Sequence, residues 1–233
     1  MVNKPNQKAE KMPVSDKSTM KKILIADDHI IVRLGVSTAI KETIKAVEIT
    51  HAQTYDEVFE ELKRNRYDLL LLDINMPGGN NIKVIRELLD IQDDLKILVF
   101  SSYDESLYAL RYIEAGAAGY VNKTTSMTEF TNAINSIFER GRYMSDAIKD
   151  LYVQKLTTSK SKVDSLNPLF KLSNREMDVA RHLIEGLGII EVSSRLNLSS
   201  STVSTYKSRI FEKLGVTNIP DLISLFKMNT EKE

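Results

Sequence analysis

Between positions 22 and 138, short apolar runs alternate with stretches whose apolar residues recur every three or four positions, and nothing else in the chain narrows its fold as much. The runs lie at 22–26, 47–52, 68–72, 96–100 and 119–121. Near-continuous hydrophobicity belongs to strands covered on both faces, the situation in a parallel sheet whose crossover helices lie above and below it. The intervening stretches supply such helices. Val32, Val36, Ala39 and Ile40 fall at helical spacing, as do Tyr55, Val58, Phe59 and Leu62. After the last run, Phe130, Ala133, Ile134, Ile137 and Phe138 follow the i, i+3, i+4, i+7, i+8 pattern. Five strands and five helices fit residues 20–141, which predicts an α/β, five-stranded, parallel, doubly wound domain bounded at 20–144.

The pattern changes beyond that boundary. Residues 145–169 contain the polar run TTSKSK at 157–162 and the pair Asn167-Pro168, which disfavours a continuing helix, so the segment reads as a linker. Within 170–233, Ser173 followed by Glu176 is a capping-box pattern opening a helix that runs to Ile184, with Gly186 and Gly188 punctuating its end. A segment at 189–196, the turn Asn197-Leu198-Ser199, a helix at 200–214 stopped by Gly215 and a fourth helix opening near Pro220 complete a small all-α, four-helix module. The tight turn between its second and third helices is a helix-turn-helix pattern. Residues 1–19, polar and with two prolines, are expected to form a disordered leader ahead of a second start at Met20.

Composition removes several function classes. With 42% hydrophobic and 27% charged residues the chain is neither disordered nor fibrous. No apolar run approaches the roughly 18 residues that cross a bilayer, and there is no signal-peptide stretch, so a cytoplasmic protein with no membrane partner is expected. The lack of cysteine excludes disulfides and thiolate metal sites, and three histidines (His29, His51, His182) leave little for zinc, so a metal would be bound by oxygen. His29 reads as a solvated helix-start residue, and His51 and His182 as packing or surface residues. The zero net charge hides a division: 15 basic against 19 acidic residues over 20–144, but 9 against 8 over 170–233. The terminal module is therefore no nucleic-acid binder by bulk charge, and such a role must rest on where its charges sit.

Functional groups of an open parallel sheet gather beyond the carboxyl ends of its strands. The first strand ends in Asp27-Asp28, the third in Asp73 and the fourth in Ser101-Ser102, and Lys123 follows the fifth. Three carboxylates brought together repel, and the usual remedy is a hard divalent cation with oxygen ligands, most simply Mg²⁺. The lysine can neutralise one carboxylate. The hydroxyl can hydrogen-bond to an oxygen that arrives later.

These residues resemble the receiver domain of two-component response regulators. Asp27-Asp28 look like its acidic pair, and Asp73-Ile74-Asn75-Met76-Pro77 matches its D-x-x-M-P phosphoacceptor motif. Ser101 and Lys123 take its switch-hydroxyl and lysine positions, and Tyr120 falls where it keeps a switch aromatic. The resemblance implies that Asp73 accepts a phosphoryl group from a sensor histidine kinase. It implies Mg²⁺ held by Asp28, Asp73 and the backbone carbonyl of Asn75, with Asp27 acting through bound water and Lys123 pairing with the acyl phosphate. It implies a phosphoacceptor with slow self-dephosphorylation only, not an enzyme. A phosphatase that works through an aspartyl phosphate would carry an acidic residue at position 75, where this chain has Asn. Thr124 stands where many receivers have proline.

The terminal module resembles the LuxR-type helix-turn-helix, through Leu172-Ser173-Asn174-Arg175-Glu176, Gly186-Leu187, Leu198-Ser199, Thr202-Val203 and Lys213-Leu214-Gly215-Val216. Together the two resemblances place the chain with NarL/FixJ-like response regulators and imply that the third helix of the module enters the major groove of double-stranded DNA. At about 100° per residue Val203, Ile210 and Leu214 stack on one face of that helix, while Ser201, Ser204, Thr205, Ser208, Arg209 and Glu212 project from the other. Lys207 and Lys213 flank the apolar stripe. Ser204, Thr205, Lys207, Ser208, Arg209 and Lys213 are the candidate DNA contacts: short polar groups for base edges, lysines for phosphates. The module departs from its family at Ser204, where many members have lysine, at Tyr206, where many have histidine, and at Gly188 and Val192-Ser193. Ile190 is expected on the surface. The expected function is transcription control by a response regulator that forms a homodimer when phosphorylated or DNA-bound, with Ser101 drawn inward and Tyr120 following. The alternative is an adaptor whose terminal helices bind a partner protein, favoured by the near-neutral charge of the module.

Overall fold

The computed structural model describes residues 20–76, 82–157 and 167–230. Its first part alternates β1 (Lys21–Ala26), α1 (Ile30–Thr43), β2 (Val47–Ala52), α2 (Tyr55–Arg64), β3 (Leu69–Leu72), α3 (Val84–Ile91), β4 (Lys96–Ser101), α4 (Glu105–Ala115), β5 (Gly119–Asn122) and α5 (Met127–Arg140). The strands form one parallel sheet in the order β2-β1-β3-β4-β5. Two strand ends extend past the apolar runs, because Lys21 pairs with Val47 and Ser101 with Asn122, and ladder pairing does not require an apolar side chain. The winding reverses between β1 and β3, which opens a crevice beyond their carboxyl ends.

Alternation along each strand divides the core into two layers. Ile23, Ile25, Leu69, Leu71 and Leu98 face Val36, Ile40, Ile134 and Ile137 of α1 and α5. Leu24, Leu70, Leu72, Ile97 and Val99 face the other way, toward Val58, Leu88 and Tyr108 of α2, α3 and α4. The four leucines of β3 are each at most 1% exposed. At about 1.5–3 kcal/mol per fully buried leucine, that strand alone anchors both layers.

The segment expected to be a linker is partly folded. Helix α6 (Asp146–Thr157) packs on α4 with Ile148 buried, and Lys155 pairs with Glu114. Ile148, Leu151 and Tyr152 stand at i, i+3 and i+4, an apolar stripe that the adjoining polar run masked in the sequence. The rest of that run, the leader 1–19 and Pro77 lie outside the described residues.

A 3₁₀ turn (Pro168–Lys171) leads into α7 (Asn174–Ile184), α8 (Ile189–Leu196), α9 (Ser200–Leu214) and α10 (Ile219–Thr230). Ser173 and Glu176 form the reciprocal capping box. Gly188 has no side chain to cap α8, but its N–H donates to Glu191 Oε2 at 2.7 Å, so the helix start survives the glycine. The tight turn from α8 to α9 passes through Asn197 at φ +50°, a conformation that asparagine tolerates better than branched residues do. The α2–α4 core layer continues through Tyr108 and Tyr112 into Leu169, Met177, Val203 and Phe226, so the two parts share one apolar cluster. Arg111 of α4 ties them further, donating to Asn174 Oδ1 at 2.8 Å and to the Leu172 carbonyl at 2.9 Å. Among the described residues no helix is long and apolar enough to cross a membrane.

Candidate functional site

The crevice beyond β1 and β3 receives the residues that end those strands. Asp73 N–H donates to the Ala26 carbonyl at 2.8 Å, which locks the two acidic turns side by side. Asp27 and Asp73 are 2% and 3% exposed, and Lys123 reaches across from β5 to donate to Asp27 Oδ2 at 2.6 Å and Asp73 Oδ2 at 2.8 Å. One ligand atom each from Asp27, Asp28, His29 and Asp73 lies within 4.8 Å of the others. Mostly carboxylate donors converging on one point fit a hard divalent cation, with the remaining oxygens of Asp27 and Asp73 free of the lysine. Burial pushes the Asp73 carboxyl up, against the pull of the Lys123 ammonium. Burial alone would lower Lys123, but its bonds to Asp27 and Asp73 outweigh that and raise it.

Two further residues neighbour this pocket: His29, which follows the acidic pair at the start of a helix, and Arg33, which was not singled out in the sequence. His29 is exposed, yet its Nδ1 lies 2.8 Å from Asp28 Oδ1 and 3.3 Å from Asp27 Oδ1. Arg33 is buried and donates to the Asp27 carbonyl at 2.6 Å, bracing the turn from below. An arginine inside the stripe formed by Val32, Val36, Ala39 and Ile40 was the available signal. His51 is an exposed surface residue that stands 2.8 Å from the Ser37 hydroxyl, whereas His182 is fully buried and packs inside the terminal module.

Ser101 and Tyr120, the expected switch residues, lie on the fourth and fifth strands and are both buried. Ser101 is buried, and its hydroxyl accepts from Tyr103 N–H at 3.2 Å. Tyr120 is 1% exposed and donates to the Tyr103 carbonyl at 2.9 Å. Both of these residues hold the backbone of Tyr103. Tyr103 is half-buried, donates its hydroxyl to Asn75 Oδ1 at 2.6 Å and carries the Arg181 guanidinium 3.9 Å from its ring centroid. Asn75 in turn donates its N–H to Asp73 Oδ1 at 2.9 Å. Neither Tyr103 nor Arg181 stood out in the sequence, although an arginine four residues after Met177 on an apolar helix face was the visible anomaly.

The outward side of α9 presents Ser201, Ser204, Thr205, Ser208 and Arg209 to solvent. Thr205 and Ser208 donate back to the carbonyls of Ser201 and Ser204, at 3.0 and 3.2 Å, leaving their oxygens as acceptors toward a ligand. Lys207 lies over the Phe211 ring, 5.4 Å from its centroid. Lys213 is committed elsewhere: it donates at 2.6 Å to Glu176 Oε2, inside the capping box of α7. Ile190 is 77% exposed, as expected.

Comparison with known proteins bears on the fold and the family. The family model for the response regulator receiver domain matches residues 23–135, and that for bacterial regulatory proteins of the luxR family matches residues 171–226. The chain is 30% identical over 207 residues to Fimbriae Z protein of Escherichia coli, covering 88% of this chain and 96% of that one. It is 32% identical over 206 residues to the response regulator GacA of Pseudomonas aeruginosa, covering 88% and 95%. Among solved structures, the RcsB response regulator of Salmonella typhimurium shares the fold with a TM-score of 0.72 at 24% identity, over 91% of this chain and 99% of that one. The chain belongs to the NarL/FixJ-type response regulators of two-component systems, a receiver domain joined to a LuxR-type DNA-binding domain, and is a transcriptional regulator and not a protein-binding adaptor.

Proposed function

We propose that Asp73 accepts a phosphoryl group from a sensor histidine kinase in the cytoplasm, and that this controls the binding of double-stranded DNA by a homodimer through α9. The observation that carries the reading is the bridge of Lys123 between Asp27 and Asp73 in a crevice that also holds Asp28. Mg²⁺, held by Asp28, Asp73 and the backbone carbonyl of Asn75, with Asp27 through water, would supply charge to neutralise phosphoryl oxygens. An oxygen of Asp73 forms the bond to phosphorus as the P–N bond of the donor imidazole breaks, and the imidazole leaves with the electron pair. Burial makes Asp73 a more basic nucleophile, and the Lys123 ammonium opposes that rise. Lys123 then exchanges a carboxylate partner for a phosphoryl oxygen, and Ser101 turns its hydroxyl toward another. On the DNA side Ser204, Thr205 and Ser208 meet base edges, while Lys207, Arg209 and, if it leaves Glu176, Lys213 meet phosphates.

Incubation with acetyl phosphate and Mg²⁺ should add one acid-labile phosphoryl group to the wild type and none to Asp73→Asn. Asp28→Ala should lose Mg²⁺-dependent labelling while keeping its circular dichroism spectrum. A phosphoryl group mapped to any other residue would overturn the assignment.

A further inference from the structure

Of the four side chains whose donor atoms converge on the acidic crevice, His29 alone offers nitrogen. Its backbone N–H donates to Asp27 Oδ1 at 2.8 Å, which fixes the residue just ahead of α1, and its Nδ1 lies 2.8 Å from Asp28 Oδ1 and 3.3 Å from Asp27 Oδ1. Lys123 occupies Oδ2 of Asp27 and of Asp73, so the oxygens those two residues leave to a cation are their Oδ1 atoms, and that of Asp27 faces the imidazole. An octahedral ion with ligands at about 2.1 Å sets neighbouring donors about 3.0 Å apart and opposed donors about 4.2 Å apart. The two imidazole distances bracket the first figure, and the 4.8 Å span of the four donors accommodates the second. The His29 side chain is 65% exposed, so its ring can turn into line with an ion without disturbing the core. A plain hydrogen bond between Nδ1 and Asp28 has the same length, so the distinction rests on what that nitrogen does when metal is added.

We propose that His29 is a metal ligand through Nδ1, and that it tunes the pocket toward borderline divalent ions of the class of Fe²⁺, Ni²⁺ and Zn²⁺ and away from Mg²⁺. The proposal rests on the reading of the crevice as a metal-binding phosphorylation pocket. Imidazole nitrogen suits such ions, whereas Mg²⁺ keeps to oxygen and gives up its water reluctantly. Asp28, Asp73 and the Asn75 carbonyl serve either kind of ion. His29 adds its nitrogen only to an ion that accepts one, so the residue decides which metals the pocket prefers and not whether it binds metal.

The full chain with isotope-labelled histidine gives a direct test by nitrogen NMR, because it has only three histidines. With a spin-active isotope of Cd²⁺ as the probe, Nδ1 of His29 should show a scalar coupling to the metal, which requires a bond and which proximity alone does not produce. His51, bonded to the Ser37 hydroxyl, and His182, buried in α7, should show none. Titration calorimetry with Ni²⁺ and with Mg²⁺ supplies the affinities. A carboxylate site also ranks Ni²⁺ above Mg²⁺, so the informative quantity is the ratio of the two, which should fall about 10-fold in His29→Ala and comparably in His29→Gln, which keeps a polar group at the helix start. Metal-saturated protein without the coupling at His29, or a ratio equal to wild type in both folded variants, would overturn the proposal while leaving the oxygen site for Mg²⁺ intact. Failure of the pocket reading would show separately, as Ni²⁺ and Mg²⁺ affinities that Asp28→Ala does not change.

Discussion

Lys123 shows how much one side chain carries. It is the ammonium within hydrogen-bonding distance of both Asp27 and Asp73, and its own titration is shifted up by those two bonds against the effect of burial. A raised lysine pKa means stability fully present below the ordinary lysine value and lost as pH rises through the folded one. Lys123→Ala leaves two buried carboxylates facing each other, so Asp73 should titrate higher still. Its melting temperature should fall below wild type near pH 7, and the gap should narrow near pH 5 as the carboxyls protonate. Differential scanning calorimetry at the two pH values reads this directly. Lys213 makes the opposite point. Because it donates to Glu176, Lys213→Ala should lower the unfolding free energy of the module by up to about 1 kcal/mol, read from urea denaturation, for an ion pair whose lysine is partly in water. Arg209→Ala should weaken DNA binding and leave the midpoint unchanged.

At the level of elements, α4 lies against the start of α7 where the two domains meet. Asp178 lies in that seam, 5% exposed, with one carboxylate oxygen unpaired. Burial pushes its pKa up to about 6, opposed by Arg181 and Arg175 on its own helix and by Arg111 of α4. Tyr108 and Tyr112 of α4 and Tyr55 of α2 face it as well, each raised chiefly by burial. Below the ordinary carboxyl value of 3.8 the group is protonated whether the seam is closed or open, and it costs nothing. Between that value and about 6 the closed form retains a proton that the open form has lost, and above about 6 the closed form carries the full cost of a buried charge. Closure should therefore weaken as pH rises through this window. Small-angle scattering should give a more compact molecule near pH 5 than near pH 7.5, and Asp178→Asn should be compact at both.

At the scale of the whole molecule, charge governs how DNA is held. The outward side of α9 offers Lys207 and Arg209 as cations, with Lys213 engaged by Glu176. Two phosphate contacts per module give a slope of about −2 in log K against log salt, and two modules on paired half-sites about −4. A single module should thus bind weakly, and phosphorylation should tighten binding mainly by bringing a second copy. Fluorescence anisotropy on one and two half-sites across a salt series checks this: a single-module slope as steep as −6 would refute the count of contacts.

The strand pattern, the acidic strand ends, Lys123 and the capping box of α7 were all legible in the sequence, because each depends on local periodicity or on the rule that functional groups collect beyond the carboxyl ends of parallel strands. The helical stripe of Ile148, Leu151 and Tyr152 was equally local and was hidden only by its polar neighbours. Nothing local, however, joins Tyr103 to Arg181 or Lys213 to Glu176. Residues 78 and 37 positions apart meet only when separate elements pack, and whether an arginine ends in solvent or over a buried ring is decided by what the other domain places against it. The sequence by itself determined the chemistry of the pocket; the tertiary structure decided which residues connect that pocket to the DNA-binding module, since that connection is a matter of packing between elements and not of spacing within one.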